Sequence, residues 1–455
     1  MQSDTIAAVS TPPGSGAIGI VRLSGPAALD LARRVFTGGP SDWPSHRAQY
    51  GPLSDPRSGE TLDHCLLLYM RAPHSYTGED IVELHCHGGR FLVRSVLELV
   101  LELGARPAEP GEFTQRAFLN GRLDLTQAEA VADLIQGQSR PGLALAAHQL
   151  EGRLSQPIRQ VRQQLIALLA AIEANIDFPD EVDPPEAEMI QAGLQAAQAR
   201  IDSLLATGDA GRIWKEGLRL AIVGEPNVGK STLLNALLRY ERAIVSEIPG
   251  TTRDTVEDDY NLRGIPVRMI DTAGLRQTSD TIEAIGIERS QKAVAEADLV
   301  LVVAEAGRGL APEMAGLMQA WRDKELVLVW NKSDLTAQAT AAPEGMKGVP
   351  ADVPEARVSA LTGLGLEALE SLLYERVASQ HVLEQPISIN ARHKLCLLRA
   401  AEALERASQT LDQALPTDFI AIDLKEAIVA FGEVIGESVS EEIINEIFHR
   451  FCVGK

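Results

Sequence analysis

Short apolar runs alternate with longer polar stretches between residues 217 and 378. The runs are LRLAIVG, PVRMIDTAG, ADLVLVVAEAG and ELVLVWNKSD, and each ends in or near glycine, aspartate or asparagine. Near-continuous Val, Ile and Leu are typical of strands buried on both faces of a parallel sheet, and the carboxyl ends of such strands commonly carry the site. The pattern predicts a doubly wound α/β domain over 217–378.

Helical periodicity dominates on both sides of this domain. The amphipathic stretches are 126–176, 186–206, 391–414, 423–431 and 437–451. Because the two ends of a compact domain often lie close enough to accept an insertion, we predict one helical domain, formed by 121–216 and 379–455, that the α/β domain interrupts.

Residues 1–120 are rich in strand and turn signals. DHCLLLYM and EDIVELHCHG have the composition of strands, and GPLSDPRSGE that of a loop. Gly14, Gly16 and Gly19 spell GxGxxG, but a strand-like IGIVRL follows instead of the helix that a dinucleotide site requires. We therefore predict an N-terminal α+β domain without a Rossmann site.

Two other polar clusters in the sequence are weak signals for metal. His85 and His87 flank Cys86, and the period of two in a strand places Cys86 on the face opposite the histidines. The acidic run DFPDEVDPPE, over 177–186, is typical of a solvated loop between helices.

The composition is that of a globular, multidomain protein. The chain has 455 residues, of which 45% are hydrophobic and 23% charged, and no apolar run reaches the ~18 residues of a membrane span. The first residues lack the basic start and apolar core of a signal peptide, so we expect a cytoplasmic protein. Cys65, Cys86, Cys396 and Cys452 have no CxxC spacing, which favours free thiols.

The net charge argues against autonomous binding of nucleic acid. Acidic side chains outnumber basic ones 63 to 42, a net charge of −21, and the excess is spread along the chain. A protein that grips phosphates alone needs a basic surface. If the protein acts on a nucleic acid, we expect a partner to supply much of the phosphate contact.

A phosphate-binding loop follows the first strand of the α/β domain. Residues 224–231 read GEPNVGKS, which fits GxxxxGK[ST], and a helix-forming STLLNALL follows. In this context backbone N–H groups face phosphate oxygens, Lys230 reaches the β and γ phosphates and Ser231 ligates Mg²⁺. Taken alone, the match is also compatible with a plain strand-to-helix turn.

Four further motifs argue against that alternative. Asp271, in DTAG, is placed to hold the water shell of Mg²⁺, and Thr252, in GTTRD, to join the metal when a γ phosphate is present. Asp334, in NKSD, accepts hydrogen bonds from guanine N1–H and the 2-amino group, which adenine cannot offer. Ser359 begins the SAL segment that fits guanine O6. The set predicts a GTP-binding domain.

The water-orienting glutamine of Ras-like GTPases is absent, because Leu275 follows DTAG. The residues leave three candidates for the missing function. They are Glu283, Arg276 and a monovalent cation near the side-chain oxygen of Asn227.

The whole chain resembles the MnmE (TrmE) family of tRNA-modifying GTPases, of the TrmE-Era-EngA type. The similarity runs from DTIAAVSTPPGSGAIGIVRLSG through SYTGEDIVELHCHGG, PGEFTQRAFLNGRLDLTQAEAVADLI, GEPNVGKSTLLNALL and PGTTRD to FCVGK. It implies a homodimer with a folate-binding, dimerising N-terminal domain and a GTPase that K⁺ and pairing of the G domains activate. It also implies a heterotetramer with an FAD-dependent flavoprotein, MnmG (GidA). This complex adds a carboxymethylaminomethyl or aminomethyl group at C5 of the wobble uridine in certain tRNAs.

The resemblance implies four ligands: GTP or GDP, Mg²⁺, K⁺ and a folate, either 5-formyltetrahydrofolate or methylenetetrahydrofolate. Ser231 and Thr252 would hold Mg²⁺, and Glu283 would orient the water. K⁺ would lie between Asn227 and the loop residues Ser246, Ile248 and Thr251. The implied nucleotide site comprises Asn227, Val228, Gly229, Lys230, Ser231, Thr232, Ser246, Glu247, Ile248, Pro249, Gly250, Thr251, Thr252, Asp271, Thr272, Ala273, Gly274, Asn331, Lys332, Asp334, Ser359, Ala360 and Leu361.

The folate contacts implied by the resemblance are Arg22, Glu83, Arg122 and Lys455. The family has lysine where this chain has Arg122, which keeps the charge but replaces a point ammonium with a planar fork. Cys452, in CVGK, matches a terminal cysteine that the family implicates in the modification reaction.

Two other functions are compatible with parts of the sequence. A GTP-controlled switch in ribosome assembly leaves residues 1–120 and the CVGK tail without a role. A stand-alone folate-dependent enzyme leaves the whole GTPase domain without one.

Overall fold

The computed structural model describes residues 4–38, 42–137, 139–245, 260–270, 291–335, 352–381 and 387–455. The chain forms two compact units. One comprises Met1–Gln136, Ala146–Asp202 and Ala391–Lys455, and the other Gly137–Leu145 and Ser203–Asn390. The first unit therefore contains segments from both sides of the second, which confirms the predicted insertion.

An α+β domain begins the first unit. Its elements are β1 (Ile6–Val9), β2 (Ile18–Ser24), α1 (Ala28–Val35), β3 (Arg47–Ser54), β4 (Thr61–Met70), β5 (Ile81–His87), α2 (Arg90–Glu102), β6 (Arg106–Pro107) and α3 (Glu112–Leu119). The sheet order is β3-β4-β5-β2-β1-β6, antiparallel except for the parallel pair β1 and β6. The confirmed strand β2 after Gly14 and Gly16 leaves no helix for a dinucleotide.

The two faces of this sheet differ. Val21, Leu23 and Leu84 point into a core that α1 and α2 cover. Because side chains alternate along a strand, Arg22 and Glu83 lie on the opposite face. That face carries the polar groups of a candidate site.

One predicted loop in this domain is wrong in part. We predicted a loop over GPLSDPRSGE, but residues 51–54 belong to β3 and only the turn at 56–58 follows. Strand β3 is the end strand of its sheet, where Pro52 can be accommodated although it has no N–H to donate.

Four helices follow: α4 (Leu125–Gln136), α5 (Arg140–Leu150), α6 (Ser155–Asp177) and α7 (Ala187–Glu216). The single stretch predicted over 126–176 is thus three helices. Gly152, with a φ of +85°, lies in the turn between α5 and α6 and explains the second of the two breaks. The acidic run over 177–186 connects α6 with α7, as predicted for an interhelical loop.

The second unit contains a P-loop α/β fold. Its described elements are β7 (Leu218–Gly224), α8 (Lys230–Val245), β8 (Tyr260–Leu262), β9 (Ile265–Met269), β10 (Leu299–Glu305), α9 (Pro312–Ala320), β11 (Glu325–Asn331), β12 (Glu355–Arg357) and α10 (Leu366–His381), with a helical segment over 291–296. The sheet order is β12-β11-β10-β7-β9-β8, parallel except for β8. All four predicted strands are confirmed, and cores cover both faces.

The chain returns to the first unit with α11 (Ala391–Asp412), α12 (Thr417–Ile435) and α13 (Glu441–His449). Helix α12 is longer than the predicted 423–431 because its buried positions continue from Ile420 to Ile435. None of the helices in the described parts of the chain is long and apolar enough to cross a membrane.

A buried ion cluster fixes the first turn of α11. Glu129, on α4, lies 2.7 Å from His393 Nε2, and Arg392 Nε donates to it over 3.1 Å. Burial favours the neutral carboxyl, but the charges of His393 and Arg392 outweigh this effect and lower the pKa of Glu129 to about 2. Arg392 also donates to the Glu433 carbonyl, near the end of α12.

Candidate functional sites

The loop from β7 to α8 has the backbone conformation of a phosphate-binding loop. Gly224 and Gly229 adopt positive φ angles of +153° and +94°, and Asn227 adopts +63°. A Cβ on Gly229 would lie 2.4 Å from Asn331 Nδ2, so that position has no room for a side chain. The loop is held by close packing as well as by its own turns.

Lys230 begins α8 and folds over the loop. Its Nζ donates to the carbonyls of Gly224 and Glu225 over 2.8 Å and 2.7 Å. Burial lowers the pKa of Lys230 because it disfavours the charged ammonium. Ser231 is half-buried and Thr232 exposed in the same first turn, where backbone N–H groups and the helix dipole favour an anion.

Asn331, in the NKSD segment, connects the phosphate loop with the SAL segment. Its Nδ2 donates to the Val228 carbonyl over 2.9 Å, and its Oδ1 accepts from the Ala360 N–H over 3.0 Å. The side chain is buried, with both amide ends used. Asn331 therefore acts through the two loops that it joins, a role that the motif alone did not reveal.

The other predicted residues of the NKSD and SAL segments are close in sequence to Asn331 and Ala360. Lys332 has a φ of +60° and donates to Glu305 over 2.8 Å. Asp334 is exposed in a short 3-10 turn, Ser333–Leu335, which follows directly. Ser359 is buried, whereas Leu361 is exposed. The Asp334 carboxylate is thus open to solvent, and it lies three residues after Asn331, whose side chain is held by two hydrogen bonds.

Part of the predicted site lies outside the described residues. This part comprises Ser246, Glu247, Ile248, Pro249, Gly250, Thr251, Thr252, Asp271, Thr272, Ala273, Gly274, Arg276 and Glu283.

A second candidate site lies on the open face of the N-terminal sheet. Arg22 Nε donates to Glu83 Oε1 over 2.8 Å, and both side chains are largely buried. The guanidinium carbon of Arg22 lies 5.6 Å from the centre of the Phe113 ring. A carboxylate, a cation and an aromatic wall therefore meet at one place.

The loop before β5 forms another wall. Tyr76 packs against the small core cluster that contains Phe113, and its hydroxyl lies 2.9 Å from Thr114 Oγ1. Arg122 is exposed, and its Nε donates to the Ser75 carbonyl over 3.1 Å. This short segment is thus held by Arg122 at Ser75 and by Thr114 at Tyr76.

Buried charges hold this loop in place. Arg116 donates to Glu79 over 3.1 Å, to Glu112 over 2.9 Å and to Asp4 over 2.8 Å. Burial opposes ionisation of Asp4 and of Glu112, yet the neighbouring arginines lower the pKa of both carboxyls. Sequence reasoning missed this cluster because its members are far apart along the chain.

The CVGK tail lies against the start of α3. The N–H groups of Gly111 and Phe113 donate to the carbonyls of Cys452 and Lys455 over 3.3 Å and 3.2 Å. Ser10 Oγ donates to the Gly454 carbonyl over 3.1 Å. Lys455 is therefore attached next to Phe113, and the Cys452 side chain remains exposed.

The histidines of HCH have carboxylate partners. His85 Nε2 lies 3.0 Å from Glu83 Oε2, and His87 Nδ1 lies 2.8 Å from Asp63 Oδ1. Cys86 is buried in the core on the other face, as predicted from strand alternation. Its pKa is raised by contact with Cys65 and by burial.

The parallel sheet, the loop between β7 and α8 and the NKSD and SAL segments define a P-loop GTPase domain. Family models agree with this class and extend it to the rest of the chain: "GTP-binding protein TrmE N-terminus" matches residues 5–122 and "MnmE helical domain" matches residues 125–452. The chain belongs to the MnmE family of tRNA modification GTPases.

Curated relatives cover the full length. A tRNA modification GTPase MnmE of Moorella thermoacetica is 48% identical over 463 residues, covering 100% of both chains. Those of Synechococcus elongatus and Alkaliphilus oremlandii are 47% and 44% identical, each covering 99% of both chains. The three-part fold, with an N-terminal α+β domain, a helical domain and an inserted P-loop domain, is therefore that of the family.

Proposed function

We propose that this chain hydrolyses GTP within a complex that modifies C5 of the wobble uridine in tRNA, using a folate-derived one-carbon unit and an FAD-dependent flavoprotein partner. Membership of the family supports the GTPase and tRNA parts. The flavoprotein, MnmG, and the homodimer follow from the resemblance stated above. A cytoplasmic location stays a prediction.

The contacts of Asn331 carry the GTP part of the proposal. They couple the loop that cradles phosphates with the segment of Ser359 and Ala360 on the guanine side. A nucleotide that contacts both loops at once binds more tightly because the loops are already ordered and lose little entropy on binding. Asp334 would then select guanine over adenine.

Ser231 fits a role as Mg²⁺ ligand, because its hydroxyl lies in the first turn of α8 beside Lys230. Thr252 would complete the metal site, and Asp271 would hold its water shell. Mg²⁺ supplies charge neutralisation between the phosphates when it is bound. Lys230, freed from its two carbonyls, would contact the β and γ phosphates.

We further propose that Asn227 takes part in binding K⁺. Its positive φ and exposed side chain are compatible with an oxygen ligand beside the phosphate loop. The loop residues Ser246, Ile248 and Thr251 would supply the other oxygens. Glu283 would orient the attacking water, with Arg276 as the alternative.

The polar groups on the N-terminal sheet fit a reduced folate. Such a ligand combines a flat ring with N–H donors and a glutamate with carboxylates. Glu83 can accept from the ring, the half-buried Tyr76 can cover it, and the cations Arg22, Arg122 and Lys455 can bind carbonyl or carboxylate oxygens. A folate supplies the one-carbon unit when it is bound.

An open cleft of about 700 Å³ lies next to the residue that follows Cys452. Val453, the residue after Cys452, lines this cleft together with Val9, Ile18 and Arg90. We propose that the exposed thiol serves the modification reaction from this position.

The charge of the chain supports a division of labour with the partner. With a net charge of −21, the chain has no excess of cations to grip tRNA. We propose that the flavoprotein supplies most of the phosphate contacts.

Nucleoside mass spectrometry of tRNA tests the whole function. A strain that lacks the gene should lose the C5-substituted wobble uridines, and the wild-type gene should restore them. A Lys230→Ala gene should not, because it removes a phosphate contact. An unchanged nucleoside profile in the deletion strain would favour a GTP switch in another process.

Calorimetry tests the folate part separately. Arg22→Ala should weaken binding of 5-formyltetrahydrofolate by about tenfold or more, since charged hydrogen bonds contribute roughly 1.5–3 kcal/mol. Arg33→Ala is the matched control, because Arg33 is an exposed arginine of α1 in the same domain. Equal folate affinity in the two variants would remove Arg22 from the site.

A further inference from the structure

Glu83 lies between two donors, one on each carboxylate oxygen. Arg22 reaches Oε1 with Nε and with Nη2, both at 2.8 Å. His85 Nε2 lies 3.0 Å from Oε2. Because a carboxylate oxygen only accepts, the His85 nitrogen that faces it must carry the proton.

Strand pairing sets this order. Arg22 on β2 is directly opposite Glu83 on β5, and His85 is opposite Ile20. The period of two places Glu83 and His85 side by side on the open face of the sheet. The exposed fractions of the side chains are 19% for Arg22, 11% for Glu83 and 26% for His85, so the carboxylate is the most enclosed of the three.

We propose that His85 is a positioning residue of the folate site: by donating from Nε2, it holds Glu83 in the conformation that faces the ligand. The inference rests on the proposed folate site. Arg22 alone binds Oε1 and leaves the carboxylate group free to rotate. A donor on each oxygen fixes the plane of the carboxylate. Oε2 keeps a second lone pair, which can accept an N–H of the ligand ring.

The proposed role requires a donor at one place and does not require an imidazole. Glutamine carries its amide nitrogen on a longer side chain than asparagine, and in His85→Gln the amide can reach Glu83 as Nε2 does. In His85→Asn the shorter side chain leaves Oε2 without a donor. A role in proton transfer would instead require histidine, so both variants would lose it. A role in packing would not depend on whether the amide nitrogen can reach Glu83.

His87 provides a matched control on the same strand. It is two residues further on, on the same face, and its Nδ1 pairs with Asp63 over 2.8 Å. It is 75% exposed, and its carboxylate partner is not the one that Arg22 contacts. His87→Gln and His87→Asn therefore make the same chemical changes at a second histidine–carboxylate pair.

Calorimetry of the full-length chain with 5-formyltetrahydrofolate tests the proposal. We expect His85→Gln to stay within about threefold of the wild-type affinity and His85→Asn to weaken it about tenfold, as for the loss of one hydrogen bond to a charged group. Both His87 variants should bind as the wild type does. GTP affinity should be unchanged in all four variants.

The proposal is wrong if His85→Asn binds folate as tightly as the wild type, or if His85→Gln loses as much affinity as His85→Asn. Crystal structures of the two His85 variants without ligand give an independent test. Glu83 should keep its wild-type conformation in His85→Gln and leave it in His85→Asn, and an unmoved Glu83 in His85→Asn would overturn the positioning role. If the wild type itself binds no folate, the proposed function fails, while these structures still decide what His85 does to Glu83.

Discussion

The Asn331 side chain donates a hydrogen bond to the carbonyl of Val228 over 2.9 Å, across 103 residues of sequence. The strand that ends in NKSD therefore holds the phosphate loop directly. Nucleotide affinity should depend on this contact even though neither group in it is charged.

Replacing Asn331 with aspartate should weaken GTP binding by tenfold or more. The carboxylate would face the Val228 carbonyl, so a hydrogen bond becomes a repulsion between two buried acceptors. Titration with a fluorescent GTP analogue measures the effect. Asn175→Asp is the control, because Asn175 Nδ2 donates to the Val182 carbonyl over 2.7 Å in the helical part of the chain. Similar GTP affinity in the two variants would contradict the connecting role.

Asp334→Asn should shift base preference from guanine to xanthine. The substitution replaces a carboxylate oxygen with an N–H donor, which suits the carbonyl that xanthine carries in place of the 2-amino group. Asp334 is exposed, so stability should change little. Competition between GTP and XTP in the hydrolysis assay measures the preference, with Asp323→Asn as an exposed control in the same unit. A variant that still prefers GTP would exclude Asp334 as the selecting group.

Gly229→Ala should abolish nucleotide binding, whereas Gly316→Ala should not. A Cβ at Gly229 meets Asn331 Nδ2 at 2.4 Å and requires a strained φ of +94°. Gly316 lies within α9 with nothing near its missing Cβ, so alanine there should stabilise the helix by roughly 0.5–1 kcal/mol. Thermal unfolding and GTP titration of both variants check the contrast. Normal GTP binding by Gly229→Ala would show that the loop can move aside.

GTP hydrolysis should be faster in KCl than in NaCl, and Asn227 should account for the difference. Asn227→Gly retains the positive φ but removes the side-chain oxygen, so it should lose the K⁺ response. Asn227→Asp keeps an oxygen and should respond. Steady-state rates in the two salts decide the matter, and equal wild-type rates would rule out a K⁺-dependent mechanism.

The ion cluster of Glu129 should make the helical part sensitive to acid. His393 and Arg392 lower the pKa of Glu129 to about 2, well below the ordinary value of a glutamate carboxyl. A depressed pKa in the folded state contributes stability above the unfolded pKa and loses it as the pH falls towards 2. Denaturation monitored by helical circular dichroism should show a smaller loss of stability between pH about 5 and 2 in Glu129→Gln than in the wild type. Parallel pH profiles would mean that other carboxyls dominate.

Much of the fold follows from periodicity. The strands of the P-loop unit were predictable because each is buried on both faces and is a continuous apolar run, as in LRLAIVG. The boundaries within 126–176 were not, because an amphipathic stripe continues in composition across the turn at Gly152. The edge strand β3 was missed because Pro52 and Gly51 have the composition of a turn.

The candidate sites, like the fold, could be predicted from the sequence only in part. Motifs predict Lys230 and Asp334 as site residues because the chemistry of each is local to one loop. The contacts of Asn331 with Val228 and of His85 with Glu83 depend on which strands are neighbours, and a single sequence does not specify that geometry. Alternation along β5 does place His85 on the face of Glu83, so this signal was available.

The attachment of the tail to α3 also has a consequence for the time course of synthesis. Gly111 and Phe113 leave the ribosome more than 300 residues before Cys452 and Lys455, whose carbonyls accept their N–H groups. The N-terminal domain can begin to fold during translation, as leading domains commonly do. Its polar face nevertheless acquires Lys455 only after the α/β unit of Ser203–Asn390 has been synthesised. A growing chain would therefore carry the GTPase unit before it carries all the groups that we propose for binding a folate.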